Sequence, residues 1–244
     1  MNLVLSALAW IFAPERFVGT SSIPTRLGEH LTYTVVPFAI ACAIAIPLGY
    51  LIGHTGKGRQ FAIALSGAVR ALPSFGLILL LVLLIGVLQI RLAVVVALVL
   101  LAIPSILAGA YAGLEAIDRR TIDAARAVGM TEWQILTQVE IPLGLSLLVG
   151  GMRSGILQIV ATATLASYVG LGGLGYDIIQ GIALRRYDQT LGGAIVVVVL
   201  ALALDGLFAL LQQLAQRAGA PTGRSRSIPM PPRAVASVAG VGGS

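Results

Sequence analysis

Long apolar runs alternate with short polar breaks along most of this chain. The pattern predicts five helical spans, near 31 to 53, 61 to 88, 92 to 113, 141 to 165 and 190 to 214. About 20 apolar residues at about 1.5 Å per residue cross about 30 Å of hydrocarbon, so each run is long enough to span. Pro73 and Pro104 fall inside the second and third runs and predict kinks; alternatively, the second divides at Leu72-Pro73. Ahead of the first run, Leu3 to Ala13 is apolar but too short to span and lacks a basic leader, so it reads as an interfacial helix. Pro14, Ser21-Ser22 and Pro24 then break the pattern, and Glu29-His30 leads into the first span. Residues 1–30 are therefore expected outside the core, 31–216 as one transmembrane domain, and 217–244, rich in Gly, Pro, Ser, Ala and Arg, as a disordered tail.

Composition sharpens this to an all-α polytopic membrane protein. The chain is 57% hydrophobic and 11% charged, against about 25% charged in soluble domains. The net charge of +6 is scattered over loops, which gives no basic face for nucleic acid. Cys42 stands alone, so neither a disulfide framework nor a metal-ligand cluster is expected. Lys57, Arg59, Arg119, Arg120, Arg126, Arg217 and the tail arginines fall on one side of the spans. Arg16, Arg26, Arg91, Arg185 and Arg186 fall on the other. The richer side is expected in the cytoplasm, with the N-terminus outside and the C-terminus inside. Gly49 and Gly53, Gly109 and Gly113, and Gly151 and Gly155 have the small-residue spacing that lets helices approach closely.

The long polar segment between apolar runs, within residues 115–142, predicts a bent pair of short helices. Thr121 is the expected cap of the first, with Asp123 in its first turn. Gly129 ends it in a left-handed conformation. Thr131 and Gln134 form a capping box that opens a second helix running to about Gln138, and Pro142 opens the next span. Ile122, Ala125 and Val128 share a stripe on the first helix, and Trp133, Ile135 and Leu136 offer an apolar surface on the second. Such stripes beside a membrane suit a partner's groove.

Three charges fall within the spans. Arg70, Arg153 and Asp205 each lie about 14 to 16 Å from the cytoplasmic ends at about 1.5 Å per residue, so Asp205 is expected to pair with Arg153 or Arg70. Gln158, Thr162, Thr164, Ser167 and Tyr168 are the candidate lining of a path, against the alternative that the hydroxyls bond back to their own helix. Gly53-His54-Thr55-Gly56-Lys57-Gly58 lacks the spacing and hydroxyl of a phosphate loop, so no nucleotide site is read in this chain. His30 and His54 lie at opposite ends of one span, and no reactive constellation for an enzyme is seen.

Asp123-Ala124-Ala125, Gly129, Val139 and Ile141-Pro142 reproduce a known order and spacing. The segment resembles the signature of the membrane subunits of binding-protein-dependent ABC importers, with Asp for Glu, Val for Ile and Ile for Leu. A role needing glutamate's extra methylene is therefore not implied. The resemblance implies a five-span core of the methionine-importer type and an ATPase-coupling role for Asp123, Ala124, Ala125, Gly129, Trp133, Leu136 and Pro142. It implies a cytoplasmic ABC ATPase dimer that binds the ATP and Mg, a second permease, identical or homologous, and an external solute-binding protein. Glu29-His30-Leu31, Pro47-Leu48-Gly49, Arg70 to Ser74, Gly150 to Ser154 and the Thr164 to Gly175 run, ending in Gly170-Leu171-Gly172-Gly173-Leu174-Gly175, extend the likeness. Together they resemble permeases for osmoprotectants such as glycine betaine, choline, carnitine or proline betaine, especially actinobacterial ones; methionine or phosphonate uptake is the alternative. Quaternary ammonium recognition by aromatic cages would then lie in the binding protein.

Overall fold

A computed structural model describes residues 2–219; most of the tail expected to be disordered lies outside them. The described residues are helical throughout, without strands. A short helix α1 (Leu3–Ile11) precedes α2 (Ile23–Thr55), α3 (Arg59–Ala71), α4 (Ser74–Ile85) and α5 (Ile90–Glu115). Two short helices, α6 (Arg119–Ala127) and α7 (Glu132–Ile135), follow, then α8 (Ile141–Ala163), α9 (Gly175–Ala183) and α10 (Tyr187–Gly219). Four helices are long and apolar enough to cross a membrane, or five if the bent pair α3 and α4 is one span.

The first span begins at Ile23, not at 31. Ser22 caps it by accepting from Thr25 N–H, and Pro24 occupies its first turn, where a missing N–H costs nothing. Ser22 and Pro24, which look like breakers, are its start signal. Pro37 and Pro47 also lie inside α2. The second run is broken: α3 and α4 meet at 92°. Leu72, preceding Pro73, is extended (φ −72°, ψ 132°), as proline's ring requires of its predecessor. Pro142 does not open a new helix. Helix continues from Glu132 to Val169, passing through a π turn, Leu136–Glu140, in which Ile141 N–H donates to the Leu136 carbonyl. The wider turn absorbs the lost proline donor and the crowding of its ring.

Helix α5 is the central one, with Ala93, Val94, Ala97, Leu98, Ala102, Ile106 and Ala110 all fully buried. The three glycine pairs set its neighbours. A Cβ on Gly49 would meet Ala110 Cβ, and one on Gly53 would lie 2.9 Å from Leu114 Cβ, which seats α2 on α5. Gly109 faces Gly151, and Gly113 faces Gly144, backbone to backbone, which seats α8 on the other flank. These stripes are consumed inside the chain. Helix α10 packs against α8 through Phe208, Val149 and Ile156, and Trp10 of α1 lies against Gly192 of α10.

Two ends of the bundle follow. At one, Arg59 pairs with Glu115 at 3.2 Å and α6 and α7 project beyond the start of α8. At the other, α9 and the amino ends of α2 and α10 come together, with Arg26 3.3 Å from Asp177. Arg26, expected in a loop, is inside α2 and buried.

Candidate functional site

The α6–α7 hairpin is built almost wholly by local bonds. Asp118, not Thr121, caps α6: its Oδ1 accepts from Arg120 N–H at 2.9 Å. Asp123 is consequently in the body of the helix, exposed, with Arg126 3.7 Å away. At the other end Gly129 takes φ 87°. Its N–H donates to Arg126 O at 2.9 Å and Met130 N–H to Ala125 O at 3.2 Å, a Schellman closure that satisfies the last carbonyls. Thr131 then opens α7 with a complete capping box: its Oγ1 accepts from Gln134 N–H, and its own N–H donates to Gln134 Oε1 at 2.8 Å.

The apolar stripes do not face outward as one surface. Ile122, Ala125 and Ile135 bury against each other with Ile117, Met130 and Val139, closing the hairpin on itself. What remains outside is Val128, 78% exposed, and Trp133, 72% exposed, beside exposed Ala124, with Leu136 half-buried. Two bulky apolar side chains thus stand exposed on a polar hairpin.

Polar groups bind the hairpin to the bundle. His54 Nδ1, near the end of α2, lies 2.6 Å from Glu140 Oε2, and its Nε2 lies 3.5 Å from Glu132. Arg126 donates to both oxygens of Glu132, at 2.8 and 3.1 Å. That hydrogen bond, with Arg126's charge, holds the Glu132 carboxyl below its usual range. A cavity of about 370 Å³ opens among His54, Arg59, Glu115, Arg126 and Glu140. Sequence reasoning missed this network, because His54 and Glu140 are 86 positions apart and no spacing joins them.

Of the intramembrane charges, Arg153 donates to both oxygens of Asp205, at 2.5 and 2.6 Å, tying α8 to α10. Arg70 does not join them. It points to Ser105 Oγ at 3.4 Å and lines a cleft of about 510 Å³ with Ser74, Ser105, Ser154 and Gln158. Among the expected lining residues only Gln158 reaches this cleft. Thr162 is 3% exposed and sits 3.4 Å from Gln158 Nε2; Thr164 Oγ1 donates to Ala161 O at 2.7 Å. Ser167 Oγ donates to Gly172 O at 2.9 Å. Of these three hydroxyls, Thr164 alone bonds back to its own helix; Thr162 accepts from Gln158 and Ser167 bonds to the following loop. Tyr168 is 54% exposed and packs at 5.2 Å on Phe75. Ser74, Ser105 and Ser154 were missed, single serines in apolar runs carrying no spacing signal.

At the opposite end, Glu29 accepts from Gly173 N–H at 2.7 Å, so the Gly170 to Gly175 run is clasped onto α2. Gly172 has no room for a side chain against that carboxylate. Arg26 stacks 3.9 Å over Tyr176 while pairing with Asp177, whose carboxyl is pushed up by burial against the opposing pull of Arg26.

Residues 45–217 match the family described as binding-protein-dependent transport system inner membrane component. The chain belongs to this family. It is an inner-membrane, multi-pass permease subunit of an ABC importer, a transport protein and not an enzyme, that works with an ATPase and a solute-binding protein. The permease is 36% identical over 177 residues to the carnitine transport permease protein OpuCB of Listeria monocytogenes, covering 72% of this chain and 80% of that one. It is 30% identical over 188 residues to the glycine betaine/carnitine/choline transport system permease protein OpuCB of Bacillus subtilis, covering 77% and 86%. Among solved structures, the MetNI methionine ABC transporter in an inward-facing conformation aligns with a TM-score of 0.70 at 22% identity, over 79% of this chain and 95% of that one. That likeness is one of fold.

Proposed function

We propose that this permease forms half of the translocation path for a quaternary-ammonium compatible solute such as glycine betaine, choline, carnitine or proline betaine. The observation that carries the reading is the match along most of the chain to relatives named for carnitine, choline and glycine betaine transport. The hairpin is the coupling element: Val128 and Trp133 enter a groove on a cytoplasmic ATPase dimer that binds ATP and Mg, and Gly129 sets the angle between the two helices. Asp123, Ala124, Ala125 and Leu136 flank that contact, and Pro142 lies where α8 takes up its motion. The hairpin end carries Lys57, Arg59, Arg119, Arg120, Arg126 and Arg217, which supports a cytoplasmic placement of that end, with the N-terminus outside. A second permease, a copy or a homologue, completes the path across the exposed face of α8.

The experiment is uptake of labelled glycine betaine at high osmolarity, in cells lacking redundant systems, with and without this chain. Uptake that requires the chain, and is competed by choline or carnitine but not methionine, is expected. Betaine uptake indifferent to the chain would move the solute to the methionine or phosphonate group.

A further inference from the structure

The three charges within the spans are not equivalent. Arg153 and Asp205 neutralise each other. Arg70 lies about 16 Å along α3 from Arg59 at about 1.5 Å per residue, and among the described residues it has no carboxylate partner. A guanidinium in an apolar span is costly unless it faces water or a ligand, and Arg70 faces an open cleft. Its surroundings indicate what it is for. Ser74 and Ser105 bring neutral hydroxyls from α4 and α5 to one cleft, and Ser154 and Gln158 line it from α8 with their donors turned to Gly150 O and Thr162 Oγ1. With no carboxylate among the lining residues, the cleft is suited to an anion and hostile to a cation. Its volume of about 510 Å³ lies within the range of small-ligand sites, about 300 to 1,000 Å³. The break at Leu72-Pro73 sets the amino end of α4 beside it, a field of the same sign as Arg70.

We infer that the Arg70 cleft is a carboxylate-binding station in the membrane, which engages zwitterionic solutes by their carboxylate as they pass. This rests on the reading of the chain as a compatible-solute permease and deepens it. Guanidinium binds a carboxylate by two parallel hydrogen bonds, and the Ser74 and Ser105 hydroxyls can donate to the remaining lone pairs. Glycine betaine, carnitine and proline betaine carry that group. Choline carries only the cation, which Arg70 repels, so the site discriminates within the class by attraction and by repulsion.

The test uses the complete transporter in proteoliposomes, with ATP-driven uptake of labelled glycine betaine and labelled choline by wild type, Arg70→Gln and Arg70→Lys. Arg70→Gln is expected to lower betaine uptake at least ten-fold while choline uptake holds or rises, and Arg70→Lys to recover part of the betaine rate. Equal loss of both solutes, unchanged betaine uptake in Arg70→Gln, or Arg70→Lys no better than Arg70→Gln would overturn the inference. So would failure of the Arg70→Gln complex to assemble on gel filtration, which would assign the guanidinium to packing against the second permease. Wild type importing neither solute would instead overturn the proposed function, a result distinct from all of these.

Discussion

Gly129 and Gly113 are both intolerant of a side chain, for different reasons. Nothing lies within 4 Å of a Cβ built on Gly129, so only its φ of 87° objects. Gly129→Val should cost about 1–2 kcal/mol locally, loosening the hairpin while the spans stay folded; hydrogen exchange confined to residues 119–135 checks this. Gly113 has an ordinary φ, but a Cβ there would lie 2.6 Å from the Gly144 carbonyl oxygen. Gly113→Ala must push α5 from α8 along a backbone contact, and the expected outcome is loss of folded protein on gel filtration. The Arg153 and Asp205 pair makes a third case. Either Arg153→Gln or Asp205→Asn alone strands a charge within the membrane and should lower the melting temperature. The double variant should recover much of the loss, and additive losses would show that the two groups do not act as a pair.

The hairpin is the element that sequence describes best, because its closures are local. Gly129 and the Thr131–Gln134 box act over three or four residues and were legible in order and spacing. Thr131→Ala should cost about 1 kcal/mol, seen as earlier melting of α7. The Arg126–Glu132 pair adds a pH dependence. Arg126 lowers the Glu132 carboxyl from its ordinary value. Its stabilisation is therefore complete above that ordinary value and is lost as pH falls through the lowered one. Protection of α6 and α7 should weaken on acidification, and Glu132→Gln should flatten that dependence. Other local readings failed where two signals competed. Asp118 took the cap from Thr121 three residues earlier, and Pro142, a plausible helix opener, was accommodated by a π turn. Ser22-Ile23-Pro24 reads as a break or as a start, and only the packing of Arg26 and His30 into the bundle decides for a start. Periodicity marked the stripe of Ile122 and Ala125 as buried but did not say by what: Ile135 of the same hairpin covers it.

At the scale of the whole molecule, the order of the long apolar helices was legible because each needs about 20 apolar residues and little else, while the 92° bend that parts α3 from α4 was read only as an alternative. The pairing of distant groups was not. Counting depth brought Arg70, Arg153 and Asp205 level, yet rotation about each helix axis decides which of them meet, and it turns Arg70 toward Ser105 instead. His54 with Glu140, and Glu29 with Gly173, join segments far apart in sequence. The same global arrangement sets the hairpin at one end of the bundle and the clasped glycine run at the other, with one continuous helix, Glu132 to Val169, running between them as the route proposed for transmission. The central claim is that this transmission starts at Val128 and Trp133. It is tested most directly by measuring ATP hydrolysis and glycine betaine uptake together in proteoliposomes carrying the complete transporter with Val128→Ser and Trp133→Ala in this chain. The account predicts at least a ten-fold loss of uptake, with the ATPase released on washing and the permease still folded. Wild-type uptake with the ATPase retained would contradict it.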